Sequence, residues 1–510
     1  MRLASGVFTV GMWTLLSRVL GFVRDVLIAA WLGTGAAHQA FVAAFTLPNL
    51  FRRFFAEGAF NMAFVPLFAK KLEAGEGAER FASDALSVLV AILIVLTALA
   101  HVLMPALIYA QVSGFAGTER FDLAVAYGRI TFPYILFISV AALLSGVLNA
   151  TRRFAAAAAA PVVLNILFIG AIVFAGLSGR DVGRALAWAV PVAGVCQMAL
   201  VWVAARRAGF DIRLRRPRWT PEMKRLAVIA APAALAGGVM QVNLLIGRQV
   251  ASWFDGAVSW LYNADRLYQL PLGVVGIAIG IVLLPELARR LQGGDTAGGR
   301  AAFNRATEMA LVLTLPAAVA LVVIPGPLVS VLFERGAFRP EDTARTALAV
   351  AIYGLGLPAF VLQKVTQPLY FAREDTRTPF RMAVVAMVVN AVVAIGLAPF
   401  IGFVSAAVAT SVAGWVMYLL LWRGARGMGD AARADGRLKR RVWRIAAASV
   451  LMGAGLLCAA WLLAPVLSLP GWRYPGLVLL VAAGMAGYGL AGRMLGAFRL
   501  SELRGALRRG

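Results

Sequence analysis

The sequence predicts an all-α membrane protein that crosses the bilayer many times. Hydrophobic residues make up 61% of the 510 residues and charged residues only 14%, whereas a soluble chain is about 25% charged and 45–50% apolar. The apolar residues form runs of about 20 or more, the length that a helix needs to cross the hydrocarbon core. This composition excludes a disordered chain, and two cysteines are too few for a disulfide scaffold.

The apolar runs predict fourteen membrane helices. Pro48 and Pro271 fall inside the second and eighth runs, so we expect both helices to be discontinuous. The first run is too long and too charged for a signal peptide, and no small-residue cleavage site follows it, which indicates a retained helix. The predicted segments are 6–32, 36–66, 82–110, 121–149, 155–178, 183–205, 226–250, 257–288, 306–333, 343–371, 380–400, 402–422, 445–464 and 474–497.

The net charge of +25 has two interpretations, a nucleic-acid partner or cytoplasmic loops rich in Lys and Arg. An even number of helices places both termini on one side. That side holds 34 Lys and Arg residues, the opposite loops hold 7, and eight more lie inside the segments. This asymmetry follows the positive-inside rule, so we expect cytoplasmic termini in a multi-pass protein of the inner membrane and no nucleic-acid partner.

An internal repeat divides the chain. Four pairs of matching motifs keep the same order, at separations of 219 to 225 residues. Each half contains six helices, so the halves are parallel repeats whose pseudo-twofold axis lies along the membrane normal. The matched residues are Pro66 and Pro285, Pro105 and Pro327, Pro133 and Pro358, and Asn165 and Asn390.

The repeat predicts three parts of the chain. Residues 1–210 form an N-terminal six-helix lobe, 211–425 form a second six-helix lobe, and 426–510 add two helices without repeat partners. Two such lobes enclose a central cavity, as in transporters. The added helices either support the second lobe or wall a groove for a lipid tail, with Leu456 and Leu479 expected on their inner face.

Charges inside the membrane indicate the ligand. Eight cations but only three acids lie within the predicted segments, and buried charges are costly unless they face a cavity or a partner. Spare arginines suit an anion, because the guanidinium binds phosphate oxygens bidentately. The eight cations are Arg18, Arg24, Arg52, Arg53, Arg129, Arg248, Arg266 and Lys364, and the acids are Asp25, Glu57 and Asp265.

The position of each cation separates cavity lining from snorkelling. Arg24 and Arg266 lie deep in their segments, so we expect them to line the cavity. For Arg52 and Arg53 both interpretations stay open, and we expect Arg129 and Arg248 to snorkel. Two pairings are available, Arg53 with Glu57 and Arg18 with Asp25. Ser17 and Arg24, seven residues apart, share a helix face.

Catalysis has little support in the sequence. The two histidines, His38 and His101, have no Cys, Asp or Glu at metal-ligand spacing. No Walker A, GxSxG or HExxH motif is present. We therefore expect neither an enzyme nor a metal or cofactor; the sequence leaves open whether an ion or the membrane potential supplies the energy.

Several motifs resemble the MurJ/MviN family, the lipid II flippases of the MOP transporter superfamily. The most specific is PNLFRRFFAEGAFNMAFVPLF, and the resemblance covers the whole chain. Some proteobacterial relatives carry an acid and a lysine where this chain has Gln39 and Thr46, so no role is carried over for that pair. The matching stretches are 17–25, 48–68, 259–280, 332–338 and 371–379.

The resemblance implies fourteen helices, a cationic cavity for a diphosphate and sugar headgroup, and a tail groove at the last two helices. Its substrate is lipid II, the undecaprenyl-diphosphate-linked precursor of peptidoglycan, which points to cell-wall biogenesis and cell shape; the peptidoglycan synthesis machinery and membrane lipids are candidate partners. The implied site residues are Ser17, Arg18, Arg24, Arg52, Arg53, Glu57, Asp265 and Arg266, with Asp25 as a further supporting charge.

The sequence therefore predicts a flippase that moves lipid II to the outer leaflet by alternating access. Two other classes stay open. One is a MOP-type exporter of another lipid-linked oligosaccharide or of a solute. The other is a membrane enzyme that acts on a polyprenyl-linked donor.

Overall fold

A computed structural model describes residues 2–52 and 59–498. All regular structure in these residues is helical, which confirms the predicted all-α class. The side chains of 2–8, 51, 59–62, 231–243, 274–282, 284–285, 291–292 and 431 lie outside the description.

Ten α-helices lie among the described residues of the first part of the chain. Two of the predicted membrane segments, 82–110 and 121–149, are each built from two helices separated by a short break. In a third segment, 36–66, α2 and α3 lie on either side of residues 53–58, which are outside the described residues. The helices are α1 (Arg2–Leu32), α2 (Ala36–Arg52), α3 (Ala59–Ala74), α4 (Ala78–Val102), α5 (Met104–Gln111), α6 (Glu119–Thr131), α7 (Tyr134–Ala150), α8 (Ala155–Leu177), α9 (Val182–Arg207) and α10 (Pro221–Ser252).

Eight helices complete the described chain, and the last two are the pair without repeat partners. They are α11 (Ala257–Gln292), α12 (Thr296–Val323), α13 (Pro325–Phe333), α14 (Pro340–Phe371), α15 (Arg377–Ile401), α16 (Val404–Ala425), α17 (Gly436–Ser468) and α18 (Arg473–Met494).

Each of the fourteen predicted segments coincides with one of these helices or with two successive ones. By length and composition, ten spans among the described residues can cross a membrane. The segments at α1, α2 with α3, α10 and α11 are not among the ten. The chain is thus a multi-pass membrane protein, and the count of fourteen crossings stays a prediction.

The two halves break their third membrane segment at equivalent places. In the first half the break separates α4 from α5, and in the second half it separates α12 from α13. Each second helix has a proline in its first turn, Pro105 or Pro325, where the missing N–H costs nothing. The repeated asparagines Asn165 and Asn390 are both buried. These matches support the internal repeat.

The expected break at Pro271 is wrong, because α11 continues from Ala257 to Gln292 through this residue. Membrane helices tolerate proline when neighbouring groups or local adjustment satisfy the freed carbonyl. Pro48 lies inside α2, four residues before that helix ends at Arg52. Residues 53–58 lie outside the described residues, so the discontinuity of the second segment stays a prediction.

Contacts divide the chain into two compact units. The first comprises Met1–Ser259 with Arg335–Phe338, and the second comprises Trp260–Glu334 with Arg339–Gly510. Helix α10 packs within the first unit, where the Gln249 side chain accepts from the Ser113 backbone at 3.0 Å. The lobe boundaries at 211 and 426 stay predictions.

In the second unit, α17 and α18 pack against α12 and α13 through an apolar core. Leu456 is buried in this core beside Met452 and Leu480, whereas Leu479 is 57% exposed. The expectation that Leu456 and Leu479 share an inner groove-lining face is therefore wrong. Helical spacing alone did not reveal which face of each helix meets its neighbours.

A polar cluster fastens the start of α17 to α12. The buried carboxylate of Glu308 on α12 pairs with Arg305, Arg437 and Arg441. Asp435 caps α17 by accepting from the Leu438 N–H at 2.6 Å, and it also pairs with Arg305. Because a buried acid is costly without its partners, this cluster fixes the register of α17 on α12.

Candidate functional site

The candidate site in the first unit is built around Arg24, in the C-terminal half of α1. Its side chain is buried, with 9% of the residue exposed. The guanidinium donates to Oδ1 of Asp25 from Nε and Nη2, at 2.9 and 2.7 Å. Its Nη1 donates to Oδ1 of Asn165 on α8 at 2.9 Å. These bonds engage three of the five guanidinium N–H groups.

Asn165 connects this arginine with Ser17. Its amide nitrogen donates to the Ser17 carbonyl oxygen at 2.9 Å and to the Ser17 hydroxyl at 3.3 Å. Gly21 lies between the two, and a Cβ there would stand 3.6 Å from the Asn165 amide. The amide of one α8 residue thus spans two turns of α1, as the shared face of Ser17 and Arg24 predicts.

An aromatic side chain lies against the guanidinium. The centroid of the Phe168 ring, one turn after Asn165, lies 5.6 Å from the Arg24 Cζ. Phe168 packs in turn against Phe41 and Phe45 of α2, at centroid separations of 6.2 and 5.5 Å. This apolar setting lowers the local dielectric, which strengthens the interaction of Arg24 with any anion that reaches it.

The structure alters the expected charge pairing in this group. Sequence spacing offered Asp25 to Arg18, but the Asp25 carboxylate accepts from Arg24, while Arg18 is exposed. Arg24 is therefore partly neutralised in this conformation. An entering phosphate would either use the remaining N–H groups of Arg24 or take the place of the Asp25 carboxylate.

The helix-2 candidates are only partly described. Arg52 is half-buried at the end of α2, and its Nε donates to the Asn49 side chain at 3.3 Å. Arg53 and Glu57 lie outside the described residues, so their predicted pairing stays a prediction.

The second unit holds the remaining candidates, both near the start of α11. Arg266 is half-buried, with its Cζ 4.5 Å from the centroid of the Tyr262 ring. The Asp265 carboxylate accepts from Gln269 one turn later. An aromatic face thus accompanies the candidate arginine in each unit.

The two arginines expected to snorkel, Arg129 and Arg248, differ in exposure and in hydrogen-bond partner. Arg129 is exposed and donates to the His101 carbonyl at 3.2 Å. Arg248 is half-buried, and it donates instead to the Gln111 side chain at 3.1 Å. Arg248 therefore connects α10 with α5. Lys364 is exposed on α14.

Sequence reasoning did not assign functional roles to two residues of this group, Asn165 and Phe168. The usable signal was a lone amide in the apolar run VVLNI, repeated at Asn390.

Gln39 stands at one of the two positions where some relatives carry a charge. Its side-chain amide nitrogen donates to the Asp255 carboxylate at 2.9 Å. Over the described residues no group of three His, Cys, Asp or Glu side chains could hold a metal ion.

Comparison with known proteins gives a consistent result. The family model described as lipid II flippase MurJ matches residues 28–483. A probable lipid II flippase MurJ of Rhizobium meliloti (strain 1021) is 47% identical over 100% of this chain and 97% of its own length. The lipid II flippase MurJ of Burkholderia cenocepacia is 36% identical over 90% of each.

Solved structures share the fold. A lipid II flippase MurJ in an inward closed conformation has a TM-score of 0.79 at 24% identity, covering 95% of this chain and 99% of that one. An inward-facing MATE transporter of the MOP superfamily has a TM-score of 0.70 at 15% identity, covering 82% and 95%. From the family model and these relatives, the chain belongs to the lipid II flippase MurJ family.

Proposed function

We propose that this protein moves lipid II from the inner to the outer leaflet of the cytoplasmic membrane. Family membership supports the substrate. The buried Arg24 supports the same ligand chemistry, because a guanidinium in an apolar setting binds a diphosphate far more strongly than one in water.

The proposed transport step is an exchange of anions at Arg24. In the structure the Asp25 carboxylate neutralises the guanidinium at 2.7 Å. The diphosphate of the headgroup takes over these N–H groups, and the carboxylate takes them back when the headgroup leaves. Asn165 holds the guanidinium in place throughout, since its bond uses Nη1 alone.

The site proposal retains the other predicted cations and supporting groups as contributors to headgroup binding. Ser17 positions Arg24 through Asn165. Arg18, Arg52, Arg53 and Arg266 supply further positive charge, and Glu57 and Asp265 balance it. A single substitution at each of these residues tests its role separately.

Orientation and chemistry complete the proposal. Both termini face the cytoplasm, as the uneven loop charge indicates. The chain transports its substrate without altering it, by alternating access, and it hands lipid II to the peptidoglycan synthesis machinery.

Complementation of cells depleted of their own lipid II flippase tests the function. The wild-type chain should restore growth and the appearance of lipid II in the outer leaflet. Arg24→Ala and Arg266→Ala should each abolish rescue at normal membrane levels, and Arg24→Lys should rescue partly, because a point charge cannot replace a bidentate fork. Arg129→Ala is the matched control and should rescue.

Two outcomes would contradict the proposal. Growth with both Arg24→Ala and Arg266→Ala would remove the diphosphate assignment. Recovery of a chemically altered substrate would indicate the membrane enzyme instead.

A further inference from the structure

A cavity lies within the first unit, away from the residues grouped around Arg24. It has a volume of about 1270 Å³ and is lined by the ends of α7 and α9, the start of α8 and Thr9 of α1. This exceeds the range of about 300–1,000 Å³ that is usual for small-molecule sites. The cavity can therefore hold an elongated ligand.

Its lining is amphiphilic. One part is cationic, with Arg152 and Arg153 from the α7–α8 turn and Arg207 from the end of α9. The other part is apolar, including Phe154 and Leu200. No acidic residue lines the cavity, and over the described residues no ion pair joins these three arginines to an acid. The lining thus fits a ligand with an anionic head and an apolar chain.

The backbone of the turn adds a second, independent observation. Helix α7 ends in a Schellman-type turn, in which the Arg153 N–H donates to the Leu148 carbonyl at 2.9 Å. Arg152 occupies the left-handed position of this turn, at a φ of 59°. Glycine is the usual residue there, because a Cβ is strained in that conformation. An arginine at this position keeps a cationic side chain in the cavity lining at a cost in backbone strain.

The first turn of α8 presents backbone N–H donors to the same cavity. The N-cap residue of α8, Phe154, makes no side-chain capping bond. Ala155 and Ala156, whose N–H groups belong to the first turn, line the cavity. First-turn N–H groups have no intrahelical acceptor and favour anions. They add to the three guanidinium groups as phosphate donors.

We propose that this cavity binds an anionic phospholipid of the cytoplasmic leaflet. Its phosphate lies among Arg152, Arg153 and Arg207 at the start of α8, and an acyl chain runs along the apolar wall toward Leu200. This site is separate from the proposed lipid II site, and it needs neither Arg24 nor Arg266.

Cys196 gives a built-in reporter, because it is half-buried in the cavity wall. Cys458→Ser leaves it as the single cysteine of the chain. In full-length protein in detergent, phosphatidylglycerol should slow the reaction of Cys196 with N-ethylmaleimide. Phosphatidylcholine, which has no net charge, should protect far less.

The arginine variants locate the headgroup. In the Cys458→Ser background, Arg153→Ala with Arg207→Ala should raise the phosphatidylglycerol concentration for half-protection by about tenfold or more, since each charge-assisted contact contributes substantially. The control, Arg206→Ala with Arg216→Ala, removes the same charge outside the cavity and should leave protection unchanged. Arg152→Gly should weaken protection while raising the Tm, because it relieves the strained backbone.

The proposal fails if phosphatidylcholine protects equally, or if the Arg153 and Arg207 variant is protected as well as its control. Equal protection by inorganic phosphate would assign the site to a free anion and overturn the lipid. A lower Tm together with normal protection in Arg152→Gly would show that this arginine serves only the turn.

Discussion

Arg24 on α1 and Asn165 on α8 are joined by a hydrogen bond of 2.9 Å across 141 positions of the sequence. The Asn165 amide carries both an acceptor and a donor without a charge, and this position uses both. Its oxygen accepts from the guanidinium while its nitrogen donates to the Ser17 backbone. The orientation of the candidate phosphate-binding arginine is thus set from a different helix.

Asn165→Leu should abolish transport through loss of both bonds. We expect a loss of about 1–3 kcal/mol in stability, since buried polar partners are left without their bonds. Asn165→Asp keeps the acceptor for Arg24 but loses the donor for Ser17, so it should be intermediate. Complementation and Tm of the purified protein measure both effects. Asn149→Leu, at an exposed position of α7, should change neither; equal losses at both positions would contradict the positioning role.

Asp25→Asn tests the exchange at Arg24. Removal of the competing negative charge should tighten the binding of a soluble diphosphate headgroup analogue and slow its release, so that transport falls although affinity rises. Binding and translocation assays on the same preparation separate the two. Asp122→Asn, at an exposed position of α6, is the control. Weaker binding in properly folded Asp25→Asn would rule out competition.

The pH dependence of stability should reveal the cap at the start of α17. Burial raises the pKa of Asp435, but hydrogen bonds from the Leu438 N–H and from Arg305 outweigh it, so the pKa lies below its ordinary value of 3.8. A lowered carboxyl pKa stabilises the fold above the unfolded value, and this stabilisation is lost as the pH falls through the folded value. The Tm difference between wild type and Asp435→Asn should be largest near pH 6 and should shrink toward pH 3. A difference independent of pH would contradict this account.

The charge asymmetry predicts the sidedness of three loops. Reporter fusions after residues 215 and 435 should score cytoplasmic, and a fusion near 338 should score periplasmic. The physical reason is the cost of moving Lys and Arg clusters across the membrane. A periplasmic score at 215 would overturn the fourteen-helix topology.

The two predicted groove positions on α17 and α18 should now behave differently. Leu456→Gln should lower the Tm and the yield, because it places a polar group in an apolar core. Leu479→Gln should leave the Tm nearly unchanged, because this side chain is 57% exposed. If α18 walls a groove for the polyprenyl tail, Leu479→Gln should weaken transport of full-length substrate more than binding of a short-tailed analogue. Equal effects on both substrates would remove the groove.

The sequence by itself determined the class of protein, the helix positions and the repeat. These follow from local properties: apolar runs long enough for a bilayer, prolines in the first turns of helices such as α5 and α13, and motifs repeated at a near-constant separation. Even the break between α4 and α5 has its counterpart between α12 and α13. The surplus of arginines within the apolar segments also indicated an anionic ligand before any contact was known.

Only the tertiary structure decided which groups meet. Spacing along α1 placed Ser17 and Arg24 on one face, but it could not find Asn165, which is distant in sequence and carries no charge. Spacing also suggested an ion pair between Asp25 and Arg18, whereas in the structure the buried Asp25 carboxylate pairs with Arg24. Leu456 and Leu479 differ for the same reason. Apolar side chains of α17 and α18 occur on both the buried and the exposed faces, so hydropathy does not distinguish the face that meets protein, and only packing does.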